Sequence, residues 1–139
     1  MSYFLTIEDV KNICYDYAKA HLTHDEPFSL FEEQYEGMLE TALFSPQKSF
    51  SGKMVYSTLP EQAAVLFYNM IKLHPFFNGN KRIACVSLLV FLAFNQKWIS
   101  TDWQTLYKMA KDVASSDAKG NTETIKILIK FINATIKDP

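Results

Sequence analysis

The stretch HPFFNGNKR, residues 74–82, separates two long apolar segments of the chain, 63–73 and 83–94. It brings a histidine, a glycine, two asparagines and two cationic side chains together within nine residues. Both flanking segments have the length of helices, and the proline after His74 disfavours helical geometry at that histidine. The stretch is therefore predicted to form a tight loop between two helices, with its polar groups at the start of the second helix.

The start of this second helix has the properties of an anion-binding site. The first N–H groups of a helix lack partners within the helix and carry a partial positive charge. Gly79 lets an anion approach the backbone closely, because no side chain is in the way. Asn80 is expected to cap the helix or to reach a phosphate oxygen. Lys81 and Arg82 add positive charge, and a guanidinium can bind two oxygens at once. The loop is thus predicted to bind phosphate.

His74 lies at the other end of the same loop. An imidazole, whose pKa is ordinarily about 6.5, can accept a proton near neutral pH. A phosphate site beside such a base indicates transfer of a phosphorus-containing group to a hydroxyl. His21 and His24 have no comparable surroundings and are expected to be solvated. A metal site at His24-Asp25-Glu26 is not favoured, because that spacing defines no coordination geometry.

Length, composition and charge limit the class of protein. The 139 residues are expected to form a single domain, 1–139, with few glycines and prolines, as in compact helical proteins. A net charge of -1 argues against broad binding of nucleic acids or anionic membranes. Cys14 and Cys85 fall on apolar helix faces and are expected to be reduced, as in a cytoplasmic protein. No signal peptide is visible, and the segment 83–94 is shorter than the roughly 20 residues that span a bilayer.

Capping patterns and apolar periodicity predict an all-α bundle of about six helices around a buried central helix. The central helix is expected at 83–94, which is apolar at every position except Ser87. The helix that begins at Ser29 is expected to run through Leu43 with Tyr35 on its buried face. The four helix starts marked by a Ser or Thr cap are expected at Thr6, Ser29, Thr58 and Thr101.

Residues 47–57 are the only β element that the sequence predicts. Ser51-Gly52-Lys53 is a turn signal, and it is flanked by Phe50 on one side and by residues 54–56 on the other. A lone hairpin is marginally stable in water, so this one is expected to pack against the helices.

The stretch 74–82 resembles the signature of Fic and Doc proteins. That signature reads His, often Pro, Phe, any residue, Asp or Asn, Gly or Ala, Asn, Gly or Lys, and Arg. The ending Lys81-Arg82 is similar to that of the Doc (death-on-curing) subgroup, and Cys85 stands where Fic adenylyltransferases have a second arginine. Residues 38–47 and 58–64 also resemble the Doc subgroup, so the resemblance covers about residues 32–106 of the chain.

This resemblance implies the Fic/Doc fold and a toxin-like enzyme that moves a phosphoryl group from ATP to a Ser or Thr hydroxyl of a protein. Translation elongation factor Tu is the target of Doc relatives. His74 would be the general base, and Lys81 and Arg82 would stabilise the developing charge. The nucleotide phosphates would be bound by Asn78, Gly79, Asn80, Lys81 and Arg82.

The resemblance also implies a metal and a docking element. Many family members have an aspartate at position 78, which binds the Mg²⁺ that bridges the nucleotide phosphates. Asn78 would be a weaker ligand without net charge, so the nucleotide would supply more of the ligation, and a metal-independent reaction remains open. In the family, a flap at the position of the hairpin binds the target by strand-like pairing. This assigns target docking to Lys53, Met54, Val55 and Tyr56.

Regulation is expected to come from a separate antitoxin protein. Family members often carry an inhibitory Ser or Thr, three residues, Glu, then Gly or Asn. The two nearest matches, Ser29 to Gln34 and Ser57 to Gln62, depart from this pattern in their last residue and are interpreted as helix caps. No membrane or nucleic-acid partner is expected.

Three alternatives remain open from the sequence. Adenylylation (AMPylation) of a protein at the same site differs only in which phosphorus faces the hydroxyl, and Lys81 with the missing second arginine favours phosphoryl transfer. A non-catalytic domain that kept the fold is favoured by Asn78 but disfavoured by His74 and Arg82. A helical nucleotide-binding domain with other chemistry is the third alternative.

Overall fold

A computed structural model describes residues 2–139, and these residues form six helices and two short antiparallel strand pairs. The predicted all-α bundle with a small β-hairpin is therefore confirmed. Helix α1 covers residues 7–21 and has a π-helical middle, Val10–Tyr15. The other five helices are α2 (Met38–Phe44), α3 (Leu59–Lys72), α4 (Asn80–Phe94), α5 (Trp103–Ser115) and α6 (Asn121–Thr135).

Two capping boxes form as the sequence predicts. Thr6 caps α1 with Asp9, and Thr58 caps α3 with Glu61. In each box the threonine hydroxyl and the acidic side chain satisfy two N–H groups that the helix leaves unpaired. Helix α5 begins one residue later than expected, because Asp102 and not Thr101 accepts the N–H of Thr105.

The helix expected from Ser29 to Leu43 is wrong over its first half, since α2 begins only at Met38. Gly37 precedes it with a left-handed φ of 79°. Residues 29–36 are instead joined to the loop before α4, where Tyr35 donates its N–H to the carbonyl of Pro75 and Phe77 donates to the carbonyl of Glu33. Tyr35, expected to be buried, is 51% exposed. Hydrogen bonds to a distant loop thus replace the bonds that a helix would have made.

The predicted hairpin is present as β1 (Ser49–Phe50) and β2 (Lys53–Met54), with Ser49 opposite Met54. A second strand pair was not predicted. It joins β3 (Trp98–Ile99) to β4 (Ile136–Lys137) and so connects the end of α4 to the end of the chain. Each of these strands has two residues, which is too short for an alternating pattern to be visible in the sequence.

The core lies among four helices. Helices α3 and α4 pack against each other, and α5 and α6 pack against this pair. Helix α4 is buried over most of its length, as predicted for the central helix. It is not buried all round: Leu89 and Val90 are half-buried and Ala93 is exposed. Cys14 and Cys85 are buried, unpaired thiols, as expected, and burial raises the pKa of Cys14 to about 11. Among residues 2–139, no helix is both long and apolar enough to cross a membrane.

Candidate active site

The loop between α3 and α4 holds the predicted site. Helix α3 ends at Lys72, and His74 has a left-handed φ of 51°, which is uncommon for a residue with a side chain. Phe76 is 1% exposed and packs against Tyr15 and Phe31, so the expected role of this ring as a core anchor is confirmed. His74 and Phe77 are exposed on either side of this anchor. The loop is therefore anchored in the core by Phe76 and exposes the imidazole of His74 to solvent.

The Asn80 side chain closes this loop. Its amide oxygen accepts the N–H of Phe76 at 2.9 Å, and its amide nitrogen donates to the carbonyl of Phe76 at 2.8 Å. The side chain therefore bonds within the loop and does not cap the helix. Gly79 is the N-cap of α4, and within residues 2–139 no side chain bonds to the free N–H groups there. The backbone at the start of α4 thus keeps the donors that an anion needs.

Two adjoining pockets lie at the start of α4. The first has a volume of about 120 Å³ and is lined by Arg82, Asp25 and Tyr107. The second, of about 130 Å³, is lined by His74. Both pockets share the residues Glu26, Gly79, Asn80 and Lys81. The structure therefore places the expected base and the expected cations around two neighbouring pockets that share four lining residues, and these two pockets together are called the cleft below.

Arg82 has a second role that the sequence did not reveal. The residue is 3% exposed, and its guanidinium donates to the carbonyls of Leu22, His24 and Glu26 at 2.8, 2.8 and 2.6 Å. Five N–H groups are available on a guanidinium, so two remain beyond these three bonds. Arg82 both holds the segment 22–26 and lines the first pocket.

Gly79 makes room for the ring of Phe28, whereas the sequence predicted that it makes room for an anion. Its φ of 83° is left-handed, and a Cβ placed there would lie 2.6 Å from Cε1 of Phe28. The space beside Gly79 is therefore filled by an aromatic ring. The glycine admits Phe28 on this side, while the N–H groups that follow it remain available to an anion.

Opposite charges meet at the edge of the first pocket. The hydroxyl of Tyr107 donates to the Asp25 carboxylate at 2.7 Å. This hydrogen bond is the main reason that the pKa of Asp25 is lowered, and the charges of Arg82 and Lys81 lower it further. Burial, followed by the bond to Asp25, raises the pKa of Tyr107 to about 12. The pair therefore exists as carboxylate and neutral phenol near neutral pH.

Asn78, the expected metal ligand, is already bonded within the protein. Its amide oxygen accepts the N–H of Ser29, and its own N–H donates to the Ser29 hydroxyl at 3.3 Å. Residues 2–139 contain no group of three or more His, Cys, Asp or Glu side chains that could hold a metal ion. Mg²⁺ prefers charged oxygen ligands. The side chains present therefore do not fit a metal ion held by the protein alone.

The hairpin lies at the opposite end of α3 from His74. Met54 lines a pocket of about 440 Å³ together with Leu59 at the start of α3 and Asn95 after the end of α4. Helix α3 has 14 residues, which corresponds to a length of about 21 Å. None of residues 53–56, the predicted docking segment, lines either pocket of the cleft.

Several residues of the cleft were missed in the sequence. Asp25 and Glu26 were noted only as a weak metal pattern, while Phe28 and Tyr107 were not singled out. The contacts of Glu26 and Phe28 with Arg82, and that of Tyr107 with Asp25, join positions more than fifty residues apart. The only available signal was general, namely that a buried arginine requires acceptors.

A family model described as the Fic/DOC family matches residues 4–92, which is more than half of the chain. These residues include α1 to α3, the loop with His74 and most of α4. Neither the curated proteins nor the solved structures contain a match to this chain.

Proposed function

The chain belongs to the Fic/DOC family, and from this premise we propose that it transfers the γ-phosphoryl group of ATP to a Ser or Thr hydroxyl of a protein. The family generally transfers nucleotide-derived groups to proteins. The observation that carries the proposal is the shared cleft, in which His74 and Lys81 line the same pocket at the free start of α4. This combination supplies a base for the hydroxyl and positive groups for the phosphates.

The reaction assigns one task to each group of the cleft. The target hydroxyl donates a hydrogen bond to the His74 imidazole, which takes the proton as the oxygen–phosphorus bond forms. The bond between the γ-phosphorus and the bridging oxygen breaks, and ADP leaves with that electron pair. Lys81 and the free N–H groups of α4 stabilise the negative charge on the phosphate oxygens. Arg82 contributes its two remaining N–H groups. Mg²⁺ enters the proposal as part of the MgATP co-substrate.

Phosphoryl transfer is preferred over adenylylation because the cleft has Lys81 and Arg82 but lacks a second arginine. Adenylyl-transferring relatives have a second arginine at the position of Cys85. Here that thiol is buried and lies 3.9 Å from the carbonyl of Leu106. Adenylylation remains the alternative, with attack at the α-phosphorus and loss of pyrophosphate. A non-catalytic domain is the second alternative, and Asn78 is the observation in its favour.

We also propose that a separate antitoxin protein regulates the enzyme. The two glutamates that came nearest to the inhibitory pattern each bond to a backbone N–H three residues earlier, and only Glu61 does so as part of a helix cap. Glu33 accepts the N–H of Leu30 at 2.8 Å, and Glu61 accepts the N–H of Thr58 at 3.1 Å. Neither carboxylate lines the two pockets of the cleft.

The role of residues 53–56 in docking remains a prediction with a new geometric condition. A target segment paired with β2 would have to extend past the start of α3 and along this helix to reach His74 at its other end. We therefore expect the accepting hydroxyl to lie several residues away from the paired segment of the target.

The proposal is tested by incubating the protein with ATP labelled at the α- or the γ-phosphorus. Candidate targets include translation elongation factor Tu. Transfer of the γ-label supports the kinase reaction, and transfer of the α-label supports adenylylation. Transfer of neither label, with ATP binding intact, supports the non-catalytic alternative.

A further inference from the structure

Phe28 contacts both of the residues that frame the start of α4. Its ring centroid lies 3.9 Å from Cζ of Arg82, and its edge fills the space beside Gly79. The ring is itself held by Tyr15, whose ring packs edge-on against it at a centroid distance of 6.1 Å. Phe28 is therefore a fixed surface against which the guanidinium rests.

The segment that precedes Phe28 holds the same guanidinium by its edge. The carbonyls of Leu22, His24 and Glu26 accept three of its N–H groups. Such hydrogen bonds lie near the plane of the guanidinium, because its donors form a planar fork. They leave the face of the group without support, and the ring of Phe28 covers that face.

We propose that Phe28 is a positioning residue for Arg82, and that its aromatic ring holds the guanidinium so that the two remaining N–H groups serve the anion pocket. This inference rests on the proposed function, since it assigns Arg82 to the phosphates of ATP. Arg82 lines the first pocket together with Lys81 and Gly79. A rotation of the guanidinium out of its plane would turn its free donors away from that pocket.

The proposal requires an aromatic side chain at position 28. A cation over an aromatic face is attracted by the ring quadrupole, and the attraction is strongest where both groups are desolvated. Arg82 is 3% exposed, which meets this condition. Leucine would fill a similar volume but would not attract the guanidinium, whereas tyrosine would keep the ring.

The experiment compares four proteins by calorimetric titration with ATP: wild type, Phe28→Leu, Phe28→Tyr and Phe31→Leu. Phe31 is the matched control, because its ring packs on Tyr15 and Phe76 in the same cluster, at centroid distances of 5.5 Å. We expect Phe28→Leu to weaken ATP binding about tenfold, while Phe28→Tyr and Phe31→Leu stay within about twofold of wild type. In an Arg82→Gln background, Phe28→Leu should have no further effect on ATP affinity.

A second readout uses the wild-type protein alone and does not depend on the folding of any variant. A ring stacked over the guanidinium shifts the side-chain N–H resonance of Arg82 upfield in the proton NMR spectrum. An unshifted resonance, unchanged ATP affinity in Phe28→Leu, or an equal loss in Phe31→Leu would each overturn the positioning role. Wild type that shows the upfield shift but binds neither ATP nor tripolyphosphate would overturn the proposed function, and with it the role of Phe28.

Discussion

Ser29 and Asn78 are joined by two reciprocal hydrogen bonds, one from the Ser29 N–H to the Asn78 amide oxygen and one from the Asn78 N–H to the Ser29 hydroxyl. The pair connects the segment after α1 to the loop before α4, across 49 positions of the sequence. Position 78 thus has a structural task in addition to any contact with a nucleotide.

Asn78→Asp should keep this pairing and add a metal ligand. A carboxylate still accepts the Ser29 N–H, and its charge attracts Mg²⁺ to the adjacent cleft. We expect the Mg²⁺ concentration for half-maximal ATP binding to fall by roughly tenfold, equivalent to about 1.4 kcal/mol. Calorimetric ATP titrations at a series of Mg²⁺ concentrations measure this change. Asn78→Ala serves as the control without a ligand, and identical Mg²⁺ dependence of wild type and Asn78→Asp would contradict the prediction.

Gly79→Ala should destabilise the protein more than Gly37→Ala. Both glycines have left-handed φ angles, of 83° and 79°, so each substitution carries a backbone strain of about 1–2 kcal/mol. Nothing lies within 4 Å of a Cβ at Gly37, whereas a Cβ at Gly79 meets Phe28. This contact adds about 1–3 kcal/mol of overpacking. Urea unfolding of both variants measures the difference, and equal losses would show that Phe28 does not occupy this space.

Substitutions of Lys81 and Glu26 should change ATP affinity in opposite directions. Both residues line both pockets. Lys81→Ala removes a cation from the phosphates and should weaken binding by about tenfold or more. Glu26→Gln removes a negative charge that repels the phosphates and should strengthen binding by about two- to fivefold. Titrations in EDTA exclude a contribution from metal ions to these changes in ATP affinity. Titrations at low and at high salt show whether the changes are electrostatic. Lys108→Ala, on the exposed side of α5, is the control. Two changes of the same sign would refute the assignment of the cleft as an anion site.

The bond between Tyr107 and Asp25 predicts a defined pH dependence. A tyrosine in the unfolded chain has a pKa of about 10, and that of Tyr107 is raised to about 12. Its contribution to stability is therefore complete below about pH 10 and is lost as the pH rises through about 12. The pKa of Asp25 is lowered. Its carboxylate therefore stabilises the folded protein at pH values above the ordinary pKa of an aspartate, and this stabilisation is lost as the pH falls below that value.

Tyr107→Phe removes this bond. The free energy of unfolding of wild type should exceed that of the variant by a constant amount between about pH 6 and pH 9, and the excess should shrink in strong acid and above about pH 10. Urea unfolding across the pH range measures the excess, and the other six of the seven tyrosines cancel in the comparison. An excess that is the same at pH 7 and in strong alkali would contradict the assignment.

Local signals in the sequence were sufficient for much of the fold. The capping boxes at Thr6 and Thr58 involve residues three positions apart, so their patterns are visible directly. The hairpin at Gly52 and the apolar stretch of α4 are local in the same sense. The segment 29–36 was mispredicted because its partners are Pro75 and Phe77, some forty positions away. A capping pattern at Ser29 cannot reveal that the serine hydroxyl is used by a distant residue.

The loop residues of the candidate site were predictable from the sequence, but the residues of other segments that line the pockets were not. His74 and Lys81 lie on one short loop, so their proximity followed from the sequence. Arg82 is held by carbonyls 56–60 positions away, and backbone carbonyls have no signature in the sequence.

If His74 accepts the proton of a hydroxyl beside a phosphate-binding helix start, its removal should slow the transfer without weakening ATP binding. The rate of γ-label transfer from ATP to a target protein is therefore measured for wild type and for His74→Ala, each with its ATP affinity determined in parallel. General-base catalysis predicts a loss of roughly 10²–10⁴-fold in rate with ATP affinity nearly unchanged. A His74→Ala variant that transfers the label as fast as wild type would contradict the account.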